Sequence, residues 1–276
     1  MLASFLLSLR EGLEAALIIG IVLGVLVKLQ HEDLNKQVWF GSGAAVLASV
    51  LAAILLNLLG LRFEGRVEEI FEGVAMLLAA GVLTWMIFWM HNSAGTLKQE
   101  IEAKTKDAVH GKGGQALFAL AFLAVFREGI ELALFLLAVQ RTASPIQTLS
   151  GAVLGLAGAV VFGRALFNST RRLSLRGFFR VTNVLLIIFA AGLVAYGVHE
   201  LNGAGIIPAV IDPVWDINHI LSDKSEVGLL LKALFGYNGN PSLTEVGAYG
   251  LYMAGIVSYV LSRKQNQVLA AAGVKG

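Results

Sequence analysis

Two copies of one charged pentapeptide carry the residues of this sequence that are best suited to chemistry. Arg10–Glu14 is Arg-Glu-Gly-Leu-Glu, and Arg127–Glu131 is Arg-Glu-Gly-Ile-Glu. Residues three or four apart share one face of an α-helix, so the two glutamates of each copy project together, within reach of the arginine. Brought together, the two copies would hold four carboxylates and two guanidinium groups, a formal charge of −2.

Such a set of charges suits a small, highly charged cation. Carboxylate oxygens are hard ligands, which favour Mg²⁺, Ca²⁺, Mn²⁺ and, by the same argument, Fe³⁺ over Cu(I). The supporting arginines, Arg10 and Arg127, would hold the carboxylates apart and ionised while no cation is bound. The competing interpretation is structural, with each arginine neutralising one glutamate and joining two helices. The candidate metal ligands are Glu11, Glu14, Glu128 and Glu131.

Both motifs lie inside long apolar runs, Leu2–Val27 and Ala116–Val139. An ionisable side chain at the centre of a membrane helix costs roughly 2.5–3.5 kcal/mol on insertion scales, so a functional role is the first expectation. Hydrophobic residues make up 57% of the chain and charged residues 14%, with a mean hydropathy of +0.74. A soluble domain has roughly 25% charged residues. The composition predicts an all-α polytopic membrane protein.

Several classes of function find no support in the sequence. The chain has no cysteine, which excludes disulfides, thiolate metal sites and cysteine nucleophiles. It has no HExxH, G-x-S-x-G or Walker A sequence. We therefore expect a transporter and no enzyme, with no permanently bound cofactor, the lipid bilayer as its surroundings and no nucleic-acid partner.

Seven stretches are apolar and long enough to cross a hydrocarbon core about 30 Å thick. The first lacks a basic n-region and contains Arg10, Glu11 and Glu14, which favours a retained helix over a signal peptide. Fourteen lysines and arginines fall on one side of the seven spans and five on the other, which predicts an outer N-terminus and an inner C-terminus. The predicted spans are about 2–29, 38–61, 69–90, 116–140, 148–168, 178–200 and 243–262.

Spans one to three resemble spans four to six. The charged motifs are offset by 117 residues, and Ala79–Leu83 resembles Ala190–Val194 at an offset of 111. Because three is an odd number of spans, the second copy must be inverted, which places the two motifs near the midplane at the repeat interface. We expect one permease domain, 1–276, with repeats at about 1–92 and 115–200 and an added seventh helix at about 243–262.

A second group of acidic residues opens the third span. Glu68 and Glu72 are four residues apart and Glu69 and Glu72 three apart, so an acidic stripe leads from Glu64 inward. Glu64, Glu68 and Glu69 would attract cations to the outer mouth, and Glu72, about one turn deeper, is a further candidate metal ligand. The competing interpretation is that these residues are acidic only because the helix dipole favours negative charge at a helix N-terminus.

The only long outer connection, residues 201–242, mixes three prolines with several large apolar side chains. That mixture favours short helices forming an extracytoplasmic cap over a disordered linker. Polar residues at the end of span six and in this cap could form an outer metal site, although helix capping and ordinary surface polarity explain them as well. The candidates for this outer site are His199, Glu200, Asp212 and Asp216.

The doubled R-E-G-[LI]-E motif, in the first and fourth of seven spans, resembles the oxidase-dependent iron transporters, which include fungal high-affinity iron permeases and the bacterial EfeU branch. The resemblance covers most of the chain, and the short tail is similar to the bacterial branch. Supporting segments are Glu68–Gly73, His199–Gly205, Leu234–Tyr237 and Pro241–Val246.

The resemblance implies iron uptake across the cytoplasmic membrane, with iron as the transported substrate and the four motif glutamates as the permeation site. It also implies an extracytoplasmic iron-binding protein and a haem peroxidase, or an oxidase in fungi, as partners. The residues alone support only an acid-lined transporter of polyvalent cations. A proton-coupled transporter, a carrier of lead, manganese or ferrous iron, and a membrane scaffold for an outer partner stay open.

Overall fold

The computed structural model describes residues 1–60, 63–93, 97–111, 113–140, 144–168, 175–223 and 225–271. Within these ranges the chain forms nine α-helices and one 3₁₀ turn, and no β-strand. Seven basic residues used above to predict the orientation lie outside the described residues: Arg62, Lys112, Arg141, Arg171, Arg172, Lys224 and Lys275.

A helix occupies each of the seven predicted stretches, and two further helices lie between them. The helices are α1 (Leu2–Lys28), α2 (Asn35–Gly60), α3 (Arg66–Ser93), α4 (Leu97–His110), α5 (Gly114–Gln140), α6 (Pro145–Asn168), α7 (Leu175–Gly203), α8 (Glu226–Phe235) and α9 (Leu243–Ala271).

Among the described residues, four segments are long and apolar enough to cross a membrane by length and composition: Glu32–Leu58, Arg66–Trp89, Pro145–Ala165 and Thr182–Gly203. They coincide with most of α2, α3, α6 and α7. Helices α1 and α5 are 27 residues each, but both carry the charged motifs. Their membrane crossing, and that of α9, stays a prediction.

Three helix pairs make the most extensive contacts: α2 with α5, α1 with α6, and α3 with α7. Helices α1 and α5 also contact each other directly. A central hydrophobic core joins α1, α3, α5 and α7 through fully buried side chains such as Leu7, Met76, Phe135 and Leu193. The two helices that carry the charged motifs are therefore held at the centre of the bundle.

The glycine at the centre of each motif is a point of close helix contact. A Cβ atom at Gly12 would lie 2.6 Å from the Cβ atom of Ala159 on α6. A Cβ atom at Gly129 would overlap the side chain of Ser49 on α2. Only glycine leaves room for these neighbours, which explains why both motifs contain it.

The same contacts occur in both repeats, at fixed sequence offsets between equivalent residues. Gly12 and Gly129 are 117 residues apart, and their neighbours Ser49 and Ala159 are 110 apart. One further pair of contacts follows the same rule: Gly41 lies against the carbonyl of Phe118, as Gly151 lies against the carbonyl of Met1. Helices α1 and α6 therefore meet as α5 and α2 do.

Helix α4 was missed by the sequence analysis, which assigned its residues to an inner loop. Its buried side chains, Ile101, Thr105 and Ala108, recur at helical spacing and pack against α1 and α5. This is the period of a surface helix with one apolar face. The charged residues around it hide that pattern from a search for apolar spans.

In its described residues, the connection between α7 and α9 contains one short helix, α8, where the mixed composition predicts several. Ser225 caps its N-terminus by accepting a hydrogen bond from Gly228 N. Gly236 ends it in the left-handed conformation, with a φ of 68°. The turn at Gly236 approaches the backbone of Gly192 in the middle of α7, so the connection packs into the bundle.

Candidate metal-permeation site

Three carboxylates from α1 and α5 converge at the centre of the bundle. One oxygen from each of Glu11, Glu128 and Glu131 lies within 4.8 Å of the other two. All three residues are buried, at 1%, 5% and 6% exposure. In the described part of the chain this is the one group of three or more acidic or histidine residues with a spacing that could hold a metal ion.

Each motif contains the same internal ion pair. Arg10 Nε donates a hydrogen bond to Glu14 Oε1 at 2.9 Å, and Arg127 Nε donates to Glu131 Oε1 at 2.9 Å. Both pairs join residues four apart, as the spacing predicts. Glu14 is buried but lies outside the group of three, whereas Glu131 belongs to it.

Several carboxylate oxygens in this cluster have no hydrogen-bond donor among the described residues. They are both oxygens of Glu11 and the Oε2 atoms of Glu128 and Glu131. Buried polar atoms without a partner are rare because each costs roughly 1–3 kcal/mol. A cation among these oxygens would satisfy them, and the all-oxygen donor set suits a hard ion.

The acidic residues at the start of α3 become more buried along the helix. Glu64 is exposed, Glu68 and Glu69 are half-buried, and Glu72 is buried. Glu69 faces the end of α7, since a Cβ atom at Gly203 would lie 3.2 Å from its carboxylate carbon. None of the four belongs to the convergent group of three.

The residues of the candidate outer site do not gather into a metal-binding group in the described ranges. His199 Nδ1 lies 3.0 Å from Glu245 Oε1, which joins α7 to α9. Asp212 and Asp216 are exposed, and Glu200 is half-buried. The partner of His199 is thus Glu245, which the sequence analysis did not single out.

Glu245 belongs to a capping box at the start of α9. Ser242 N donates to Glu245 Oε1 at 3.1 Å, and Glu245 N donates to Ser242 Oγ at 3.3 Å. Its other oxygen accepts a hydrogen bond from Asn238 Nδ2 at 2.7 Å. The sequence Ser-Leu-Thr-Glu contains the Ser-x-x-Glu signal of a capping box, which could have revealed this role.

The sequence profile of the iron permease FTR1 family matches residues 1–263. The chain belongs to this family. It is therefore a permease, a transporter and no enzyme, and a multi-pass protein of the cytoplasmic (inner) membrane.

Curated relatives within the family are similar over nearly their whole length. The chain is 34% identical over 255 residues to the ferrous iron permease EfeU of Yersinia pestis, covering 92% of this chain and 90% of the relative. It is 35% identical over 264 residues to the ferrous iron permease EfeU of Escherichia coli O6:H1, covering 95% and 96%. No solved structure matches this iron permease family member.

Proposed function

We propose that iron crosses the membrane through the cluster of Glu11, Glu128 and Glu131, with Glu14 as an additional ligand during passage. The observation that carries this proposal is the convergence of three buried carboxylates from two different helices to within 4.8 Å. Neutralising the charge of a motif arginine needs only one glutamate, and each motif already contains that pair within its own helix. In the described part of the chain, the additional carboxylates, Glu11 and Glu128, make no ion pair of this kind.

We infer a bundle of seven membrane-spanning helices, formed by two inverted three-helix repeats and α9. The recurring contacts at offsets of 117 and 110 residues support the repeat, because a two-fold axis makes α1 meet α6 as α5 meets α2. Such an axis relates the two motifs and places the cluster near the bilayer midplane. The basic residues support an outer N-terminus.

The inferred route begins at the acidic residues of α3. Glu64, Glu68 and Glu69 attract iron at the outer mouth, and Glu72 passes it inward. The graded burial of these side chains supports a path between the surface and the interior of the bundle. Arg10 and Arg127 neutralise Glu14 and Glu131 between transport cycles. This reduces the repulsion among the carboxylates while no iron is bound. His199, Glu200, Asp212 and Asp216 are proposed as a transient outer site.

We propose ferric iron as the substrate, delivered by an extracytoplasmic iron-binding protein together with a haem peroxidase or oxidase. The donor set supports the harder ion, because the three clustered ligands are all carboxylates. Ferrous iron is the second candidate, since the relatives in Yersinia pestis and Escherichia coli are named ferrous iron permeases.

The same carboxylates could carry manganese or lead, or serve as a proton relay in a proton-coupled transporter. Purified protein in liposomes distinguishes these substrates. Uptake of ferric iron, held soluble by a weak chelator, is compared with uptake of ferrous iron under reductant, of manganese and of lead. The proposal expects the highest uptake with ferric iron and no proton flux without metal. Faster uptake of ferrous iron would show that the substrate is ferrous and not ferric iron. Proton flux without metal would favour a proton-coupled transporter.

A further inference from the structure

The two motif arginines make the same ion pair but lie in different surroundings. The side chain of Arg10 is fully buried, whereas that of Arg127 is 37% exposed. The guanidinium of Arg127 lies over two indole rings of α3, 5.3 Å from the ring centre of Trp85 and 4.8 Å from that of Trp89. The permeation cluster is thus enclosed at one motif and open to one side at the other.

Trp85 and Trp89 form one aromatic surface. They are four residues apart on α3, and their rings stack with centres 6.3 Å apart. A guanidinium over an indole face gains an attraction that strengthens when water is excluded. Arg127 therefore contacts two partners at once, the carboxylate of Glu131 and the pair of indole rings.

The equivalent positions of the second repeat differ. At the offset of 111 residues, Tyr196 and Glu200 replace the two tryptophans. The cation over the Tyr196 ring is Lys232 of α8, at 4.6 Å, and the tyrosine hydroxyl donates to the carbonyl of Tyr237. On that side, the cation over the aromatic ring comes from the connection between α7 and α9, whereas on the other side it comes from the motif itself.

The open side faces the cytoplasm in the proposed orientation. Side chains of a helix point toward its N-terminus, which for α5 is the inner end. Trp85 and Trp89 lie in the last third of α3, which also ends on the inner side. Arg127 and its two rings therefore lie between the carboxylate cluster and the cytoplasm.

The geometry points to Trp85 and Trp89 as positioning residues for the release of iron. When iron occupies the cluster, it competes with Arg127 for Glu131. The indole rings then hold the displaced guanidinium through cation–π contacts. When iron leaves toward the cytoplasm, the same rings keep the guanidinium close enough to pair again with Glu131. The inference rests on the proposed iron permeation through this cluster.

The test compares uptake kinetics of four proteins in liposomes. Trp85→Ala/Trp89→Ala removes both rings, and Trp85→Phe/Trp89→Phe keeps an aromatic face. Trp39→Ala, on α2 and 61% exposed, is the matched control. We expect the double alanine variant to lose about tenfold in maximal rate with KM within about twofold, because the carboxylates remain. The phenylalanine variant should keep at least about one third of the maximal rate.

Equilibrium iron binding to the purified variants separates this inference from the proposed function. If wild-type protein neither binds nor transports iron, the proposed function fails. If wild type is active and the double alanine variant transports equally fast, the positioning role is overturned. An equal loss in the phenylalanine variant would also overturn it, because the aromatic face would then not matter.

A second measurement does not depend on removing the tryptophans. The chain has no cysteine, so single cysteines can be labelled without background. Ala124 lies one turn before Glu128 on the same helix face, and Leu7 is its repeat equivalent, fully buried. A membrane-impermeant thiol reagent should modify Ala124→Cys from the inner face and leave Leu7→Cys unmodified from the outer face. Modification of Leu7→Cys from the outer face, with Ala124→Cys unmodified, would contradict the inference, because the solvent-accessible side would then lie at the Arg10 motif.

Discussion

Glu11 and Glu131 are 120 residues apart in the chain, yet their carboxylate oxygens lie within 4.8 Å of each other. Both are buried at the contact between α1 and α5. Two like charges this close repel each other strongly in a medium of low polarity. Their convergence is therefore costly for the folded protein, and a cation bound at the proposed site would offset that cost.

The two arginines should differ in their contribution to stability. Arg10→Ala leaves a buried carboxylate at Glu14 without its guanidinium partner, which costs about 3–5 kcal/mol for a buried pair. Arg127→Ala should cost clearly less, because that side chain is 37% exposed and water can reach the site. Thermal unfolding in detergent measures both. Equal losses would show that the burial of Arg10 does not determine its contribution.

The motif glycines can be tested by compensating substitutions. Gly129→Ala adds a methyl group where Ser49 packs, and overpacking of this kind costs about 1–3 kcal/mol. Ser49→Gly in the same protein removes the obstructing side chain and should restore thermal stability and uptake. Gly12→Ala with Ala159→Gly is the matched pair in the other repeat. Failure of both compensations would contradict the helix contacts described above.

The capping box should hold the start of α9. Glu245→Ala removes the acceptor for Ser242 N, His199 Nδ1 and Asn238 Nδ2. Ser242 is buried, and leaving its N–H without a partner costs about 1–3 kcal/mol, so the melting temperature should fall by several degrees. Glu64→Ala, at an exposed position, is the control and should leave it unchanged. A similar melting temperature for both variants would contradict the assigned role of Glu245.

The outer acidic residues should affect capture of iron and leave its passage unaffected. Replacing Glu64, Glu68 and Glu69 together by glutamine should raise KM for uptake several-fold while the maximal rate stays near that of wild type. The reason is that charges at the mouth raise the local cation concentration. The difference should shrink at 1 M salt, where electrostatic interactions are screened within about 3 Å. A lower maximal rate at unchanged KM would instead place these residues on the rate-limiting path.

Local features of the fold could be predicted from the sequence. The predicted apolar stretches are helices, as their length and composition indicate. Each arginine pairs with the glutamate four residues later because helical geometry brings these positions together. The sequence also showed that glycine is part of the motif, but not why. Ala159 and Ser49 are the reason, and they belong to other helices.

The arrangement of the carboxylates could not be predicted, because it depends on how helices pack. Spacing treats Glu11 and Glu14 as equivalent to Glu128 and Glu131, but Glu14 stays with Arg10 outside the group of three. The different surroundings of Arg10 and Arg127 also escape the sequence, since two nearly identical motifs face α6 and α2, and Arg127 lies over the tryptophans of α3. Glu245 was missed although its capping box was present in the sequence.

Radioactive iron uptake into liposomes containing wild-type protein, Glu11→Gln or Glu131→Gln tests the central claim most directly. Glutamine keeps the size of the side chain and removes its charge, and Glu102→Gln on α4, outside the cluster, is the matched control. We expect both cluster variants to lose at least about 90% of uptake while reaching the membrane in normal amounts, because each removes one of three charged ligands. Uptake in either variant equal to that of wild type would contradict the assignment of this cluster as the permeation site.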